Sequence, residues 1–189
     1  MRRSLVSILA SLSLLSVQAQ HAVGEMEMEL STGFATPLGG YRGGENRTTM
    51  SWGVEFRYNF PSSAWDVGAL VDITTAGRKF SDVVVDNLYN PEKVYKQDNR
   101  TTAIALTTDY NLARGNNVSA FIGTGIGVAF NKTHGSVAYP SKTTSLAVIP
   151  RFGFEFFNRI RISCQAHISR TGYNALSVNL GYTIGGRRK

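Results

Sequence analysis

The sequence predicts an all-β protein, an eight-stranded antiparallel up-and-down transmembrane β-barrel. Three observations lead to this prediction. Apolar and polar residues alternate over eight segments of about ten residues, the connections between the segments alternate between long and short, and aromatic residues gather at one end of the apolar faces. Together they are typical of a barrel whose strands turn one face to lipid and the other to a lumen.

The alternation is clearest between residues 176 and 184, where every second residue is apolar and the residues between them are small or polar. Successive side chains of a strand point to opposite faces, so we expect Val178 to face lipid and Asn179 to face the lumen. The other predicted strands are 26–34, 50–60, 65–73, 102–112, 118–130, 146–156 and 160–168.

The connections differ in length according to the end of the barrel on which they fall. Those at 35–49, 74–101 and 131–145 are long, those at 61–64, 113–117 and 157–159 are short, and only 169–175 breaks the contrast. Bacterial outer-membrane barrels have short periplasmic turns and longer extracellular loops. We therefore expect both termini in the periplasm and the charged stretch 74–101, around Val83–Val85, to form an extended surface hairpin.

A soluble β-sandwich also has strands of period two, and the placement of the aromatic residues argues against it. Seven aromatic residues fall on the apolar face near the short-turn end, and a sparser set falls toward the long-loop end. Such girdles mark the two interfaces of a membrane. The predicted girdle consists of Tyr58, Phe60, Trp65, Tyr110, Phe154, Phe156 and Tyr182.

Residues 1–19 have the composition of a secretory signal peptide. Two arginines precede an apolar stretch from Leu5 to Leu15, and the small residue Ala19 follows. The stretch is shorter than the ~20 apolar residues that a membrane-spanning helix needs. We expect export with cleavage after Ala19 and a single barrel domain over residues 20–189.

The charge of the chain bears on its partners. It has 20 basic and 13 acidic residues, a net charge of +7 at pH 7, and the basic residues are scattered rather than gathered into a patch. We therefore expect no nucleic-acid partner and an anionic membrane surface instead. Candidate contacts to lipopolysaccharide phosphates are the basic residues just beyond strand ends on the long-loop side, Arg42, Arg47, Lys132 and Lys142.

The signal peptide, the eight predicted strands and the ending Asn179-Leu180-Gly181-Tyr182-Thr183-Ile184-Gly185-Gly186 resemble the small bacterial outer-membrane β-barrel proteins of the OmpA and OmpX type. The resemblance covers the whole mature chain. It implies the barrel fold and a location in the outer membrane, but it does not imply an activity. Separately, we expect a monomeric protein without a cofactor or a metal.

The strongest constellation of polar residues is a set of charged side chains on the predicted inner face. Charges of both signs in so narrow a lumen must pair, because the desolvation of an isolated buried charge costs roughly several kcal/mol. We expect a plug of ion pairs, with a narrow ion channel as the alternative. The predicted network is Glu27, Glu29, Glu55, Arg57, Asp66, Asp72, Asp109, Arg151, Glu155 and Arg161, with His167 nearby.

Strand parity also predicts one particular lumen pair. A three-residue turn at 157–159 sets Phe156 opposite Ile160, because any two-residue turn would oppose lumen residues to lipid-facing ones. Glu155 then lies opposite Arg161, and Arg151 lies opposite Gln165. We expect Glu155 and Arg161 to form an ion pair.

An enzymatic alternative comes from His167-Ile168-Ser169, which is similar to the His-x-Ser pair of the outer-membrane lipid A deacylases. A nucleophile and a base two residues apart share one face of a strand. Arg170 stands where that family usually has Asn, and the pair faces the lumen rather than lipid. The leading expectation is therefore a non-enzymatic barrel whose long loops contact lipopolysaccharide, another cell or a host ligand, with a deacylase second and a narrow channel third.

The glycines 123, 125 and 127 resemble part of a dinucleotide fingerprint, but that motif needs a turn from a strand into a helix. Here all three fall on the inner face of one predicted strand. We expect them to leave room for larger lumen side chains opposite.

Overall fold

Strands dominate because the alternating segments bury one face and expose the other. The computed structural model describes residues 25–39, 44–80, 84–85, 88–89, 95–113, 116–135 and 141–185. Its strands are β1 (Met26–Pro37), β2 (Gly44–Arg47), β3 (Thr49–Asn59), β4 (Trp65–Phe80), β5 (Val84–Val85), β6 (Leu88–Tyr89), β7 (Tyr95–Asn111), β8 (Val118–Gly135), β9 (Lys142–Phe156), β10 (Ile160–His167) and β11 (Ala175–Gly185).

The sheet closes into an antiparallel barrel, as predicted. Its strand order is β2-β4-β3-β1-β11-β10-β9-β8-β7, and pairing of β7 with β4 joins the two edges. Only Thr48 separates β2 from β3, and the two pair with successive parts of β4, so the part of the chain that the structure describes has eight wall strands. No helix among these residues is long and apolar enough to cross a membrane.

The faces of the strands are those that the alternation predicts. Val178 is 53% exposed on the outer surface, whereas Asn179 is 2% exposed inside the barrel. The turn at 157–159 also has the predicted register, with Phe156 opposite Ile160 and Glu155 opposite Arg161. Positive φ angles at Phe157 and Asn158 form this tight turn.

The predicted strands end too early on the long-loop side. Much of the stretch 74–101 is strand, because β4 and β7 stay paired as far as Phe80 and Tyr95. Likewise β8 and β9 stay paired as far as Lys132 and Lys142. The apolar alternation ends earlier than the ladder because polar side chains occupy both faces there. Backbone pairing continues without the apolar signal.

Several predictions concern residues outside the described ranges. The signal peptide at 1–19 lies there, as does Arg42.

Within the stretch 81–94, antiparallel pairing of β5 with β6 matches the predicted hairpin.

Candidate functional site

The centre of the barrel is filled by an ion-pair network around Arg151 on β9. Its guanidinium donates to both carboxylate oxygens of Glu55 on β3, with Nη1 to Oε2 at 2.8 Å and Nη2 to Oε1 at 2.6 Å. It also donates from Nε to Asp109 Oδ1 at 2.8 Å. Because β3 and β9 lie on opposite walls, this contact spans the lumen.

Arg161 on β10 joins the same network from the short-turn end of the barrel. It forms a hydrogen-bonded ion pair with Asp109, and its Nε lies 3.8 Å from Glu29 Oε2. Its guanidinium carbon lies 3.5 Å from the ring centroid of Phe121, which points into the lumen from β8. A cation over an aromatic face is attracted by the quadrupole of the ring.

The predicted Glu155–Arg161 ion pair is wrong, although the register is right. Arg161 extends to Asp109 and Glu29, and Glu155 makes no ion pair with any residue that the structure describes. Asp109 is fully buried, whereas Glu155 is half-buried near the rim. The deeply buried carboxylate gains more from a cation because it has lost its hydration, so it takes the arginine.

Arg57 on β3 forms the third part of the network. It donates from Nη1 to Glu29 Oε2 at 2.8 Å and from Nη2 to Glu27 Oε2 at 3.1 Å. Near the short-turn end of the barrel, Asp66 accepts a hydrogen bond from Asn111 at 2.7 Å. The lumen that the structure describes buries six carboxylates and four guanidinium groups, Glu27, Glu29, Glu55, Asp66, Asp72 and Asp109 against Arg57, Arg78, Arg151 and Arg161.

Inward-facing glycines make room for these carboxylates. A Cβ atom on Gly123 would lie 1.9 Å from Asp109 Oδ1, and one on Gly181 would lie 2.2 Å from Glu29 Oε1. Neither distance is compatible with a side chain. These glycines therefore create the space in which the network packs, as expected for Gly123.

His167 belongs to a second polar cluster, farther toward the long-loop end. Its Nδ1 lies 3.4 Å from Asp72 Oδ1, and its Nε2 lies 3.3 Å from both Ser177 Oγ and Thr74 Oγ1. Ser169, which the enzymatic alternative combines with His167, lies in the turn after β10. The Asp-His-Ser order resembles a hydrolase triad. Ser177, however, has no exposed surface.

The segment 168–174 closes the outer mouth of the lumen. Tyr173 is buried there, and its hydroxyl lies 2.6 Å from Thr133 Oγ1. Asn99 Nδ2 donates to the backbone oxygen of Gly172 at 2.6 Å. This short connection therefore folds across the lumen.

The aromatic girdle lies on the outer surface. Phe60, Trp65, Phe154 and Tyr182 are exposed, and Tyr58, Tyr110 and Phe156 are half-exposed beside them. The rings of Trp65 and Tyr110 pack edge to face at 5.1 Å, as do those of Tyr58 and Phe60 at 5.3 Å. Exposed apolar side chains cover the wall between this girdle and the outer end.

Of the four candidate lipopolysaccharide contacts, the three that the structure describes do not form one group. Arg47 forms an ion pair with Asp98, and Arg42 lies outside the described ranges. Lys132 and Lys142 lie opposite each other on β8 and β9, and both are exposed. Arg100 lies opposite Lys132 on the other side.

Sequence reasoning missed several residues of these sites, among them Phe121, Arg78, Arg100 and Tyr173. Both Phe121 and Arg78 have inward parity. The predicted network consists of charged residues of the predicted strands and His167, so it omits Phe121, which is uncharged, and Arg78, which falls in a predicted loop. Arg100 fell in the same predicted loop. Tyr173 carries no periodic signal, since it lies in a turn.

A closed barrel of eight described strands, apolar outside and ion-paired inside, defines a small transmembrane β-barrel of the outer-membrane type. Solved structures with this fold include Neisserial surface protein A, with a TM-score of 0.53 and 10% identity over 86% of this chain and 98% of that one. The N-terminal barrel domain of Pseudomonas aeruginosa OprF has a TM-score of 0.50 and 10% identity, over 86% of this chain and 99% of that one.

A more distant structural similarity is to the attachment invasion locus protein Ail of Yersinia pestis, solved with the heparin analogue sucrose octasulfate. Its TM-score is 0.47 at 17% identity, over 85% of this chain and 99% of that one. No family model matches the sequence, and no curated protein matches it. The structural similarity therefore establishes the fold alone.

Proposed function

We propose that this chain is a non-enzymatic protein of the bacterial outer membrane, exported by its leader, with a closed lumen and both termini in the periplasm. In this proposal the barrel serves as an anchor, and its outer end contacts lipopolysaccharide or an extracellular ligand. The observation that carries the proposal is the contact of Arg151 with Glu55 on the opposite wall, at 2.6 Å. Because this contact joins opposite walls at the centre of the barrel, we expect the lumen to be closed to solutes.

Conductance across a planar bilayer tests the closed lumen. The wild-type barrel should give no regular single-channel openings, because ion pairs fill its centre and Tyr173 closes its outer mouth. Tyr173→Ala is the matched variant, and it should also remain closed, since the central network persists. Regular openings of the wild-type protein would refute the proposal.

A hydrolase is the second candidate, and the cluster of Asp72, His167 and Ser177 favours it. Against it, Ser177 is fully buried and no ester could reach its hydroxyl without opening the barrel. A serine-reactive phosphonate should therefore leave the folded protein unlabelled, and mass spectrometry should find lipid A unchanged after incubation. Labelling that disappears in Ser177→Ala would replace the proposal with an enzyme.

A further inference from the structure

Three cations form a continuous row on the outside of the barrel, near its long-loop end. Arg100 on β7 lies opposite Lys132 on β8, and Lys132 lies opposite Lys142 on β9. All three residues are exposed on the outward face. The row crosses two inter-strand spacings, about 10 Å in total.

This row has no acidic partner among the residues that the structure describes. None of its three cations makes an ion pair there, and Asp98, two residues from Arg100 on the same strand, forms its ion pair with Arg47. Like charges directly opposite each other on neighbouring strands destabilise a sheet. An anionic ligand on the row would relieve that repulsion.

The surface at the row is concave rather than flat. A groove of about 530 Å³ lies there, lined by the three cations together with His134, Phe130 and Thr144. A groove with cations along its length and an aromatic side chain beside them fits a charged group attached to an apolar body.

The rows of residues on the short-turn side of the cations indicate the depth of the cations in a membrane. The next row toward the inner end is Thr102–Phe130–Thr144, and the one after that is Ile104–Val128–Leu146. The side chains of this third row are 42–67% exposed to the outside. Side chains two residues apart on a strand are about 7 Å apart, so a single row, Phe130 between two threonines, separates the cations from the apolar row. This is the level at which we expect headgroup phosphates.

We propose that Arg100, Lys132 and Lys142 form a binding site for the phosphorylated headgroup of lipid A. This inference rests on the outer-membrane orientation proposed above, which places the long-loop end in the outer leaflet. A row of three cations matches a headgroup with two phosphates better than a phospholipid with one. Arg100 is the residue that completes the site beyond the two lysines.

The test uses the full mature chain, folded in detergent micelles. Native mass spectrometry measures the binding. The probes are bisphosphorylated lipid A, monophosphorylated lipid A and phosphatidylglycerol. The triple variant Arg100→Gln, Lys132→Gln and Lys142→Gln should bind bisphosphorylated lipid A on the order of a hundred-fold more weakly, and Lys132→Gln alone about five-fold. Arg159→Gln, at the inner end, is the control and should bind like the wild type.

Heat-modifiable gel migration of each variant separates loss of the site from loss of the fold. A folded triple variant that binds bisphosphorylated lipid A like the wild type would overturn the site while leaving the barrel proposal intact. Equal binding of phosphatidylglycerol, with the same loss in the triple variant, would overturn lipid A as the ligand. A wild-type chain without heat-modifiable migration would overturn the membrane barrel itself, and the site with it.

Discussion

Arg151 on β9 and Glu55 on β3 hold opposite walls of the barrel together through a bidentate ion pair, with nitrogen–oxygen distances of 2.8 and 2.6 Å. The same guanidinium binds Asp109 on β7. One side chain thus connects three strands. Bidentate pairs of this kind are among the strongest charge-assisted hydrogen bonds in proteins.

Arg151→Met should lower the free energy of unfolding by about 3–5 kcal/mol, because it leaves Glu55 and Asp109 buried with less compensation. Glu55→Gln should cost less, since buried carboxylates outnumber buried arginines. The measurement is urea unfolding of the barrel in lipid vesicles. A matched control is Arg159→Met at the exposed inner rim, where Arg159 donates to the Tyr182 hydroxyl, and its cost should be only ~0–1 kcal/mol. Additive effects of Arg151→Met and Glu55→Gln would show that the two residues are not coupled.

Gly123→Ala should destabilise the barrel by about 1–3 kcal/mol through overpacking. The added methyl group would meet the Asp109 carboxylate and the Thr108 backbone oxygen, which lies 2.3 Å from the Cβ position. Gly125→Ala on the same strand is the control, because its Cβ would come no nearer than 3.2 Å to the Thr107 methyl group and 3.5 Å to Ile149 Cβ and the Leu106 backbone oxygen. The urea midpoints of the two variants should differ in that order, and the reverse order would contradict the packing described above.

Val178→Arg should block insertion into lipid vesicles, because a charge facing lipid at the midplane costs ~2–4 kcal/mol. Val178→Thr, of similar shape, should insert. Asn179→Arg is not a suitable comparison, since Asn179 is buried and accepts a hydrogen bond from Ser51. The gel shift on heating measures the inserted fraction. Equal insertion of the Arg and Thr variants would show that Val178 does not face lipid.

The only two tryptophans, Trp52 and Trp65, should both report a lipid environment. Each is about half exposed on the outer wall, toward opposite ends of the barrel. In the single-tryptophan variants Trp52→Phe and Trp65→Phe, bromines high on the acyl chains should quench fluorescence more than bromines near the terminal methyl groups. Strong quenching of either tryptophan by an aqueous quencher instead would place that residue outside the membrane.

The wall of the barrel could be predicted from sequence because one physical signal repeats along it. A period of two specifies which residues face out, and parity specifies the turn at 157–159. The strand ends at Phe80 and Tyr95 could not be found this way, since polar residues occupy both faces there and the contrast between the faces vanishes. Backbone hydrogen bonds continue there without any pattern in hydrophobicity.

Parity also places charged residues in the lumen, but it cannot predict their partners. Arg161 lies opposite Glu155 in the ladder, yet its long side chain extends past that neighbour to Asp109 on β7. Such a choice depends on depth, on the Phe121 ring and on the relation between distant strands. Sequence spacing contains none of these. The three-strand row of cations likewise emerges only from the registers of β7, β8 and β9.

The long separation between Arg151 and its partner constrains how the protein enters a bilayer. Glu55 precedes Arg151 by 96 residues, and Asp109 precedes Arg161 by 52. A β9–β10 hairpin entering alone would turn both guanidinium groups toward hydrocarbon, at ~2–4 kcal/mol each near the midplane. Stepwise entry of single hairpins is therefore unfavourable. We therefore expect the barrel to close and insert into the membrane in one kinetic step. The first strands would remain at the membrane surface until the last strands have formed.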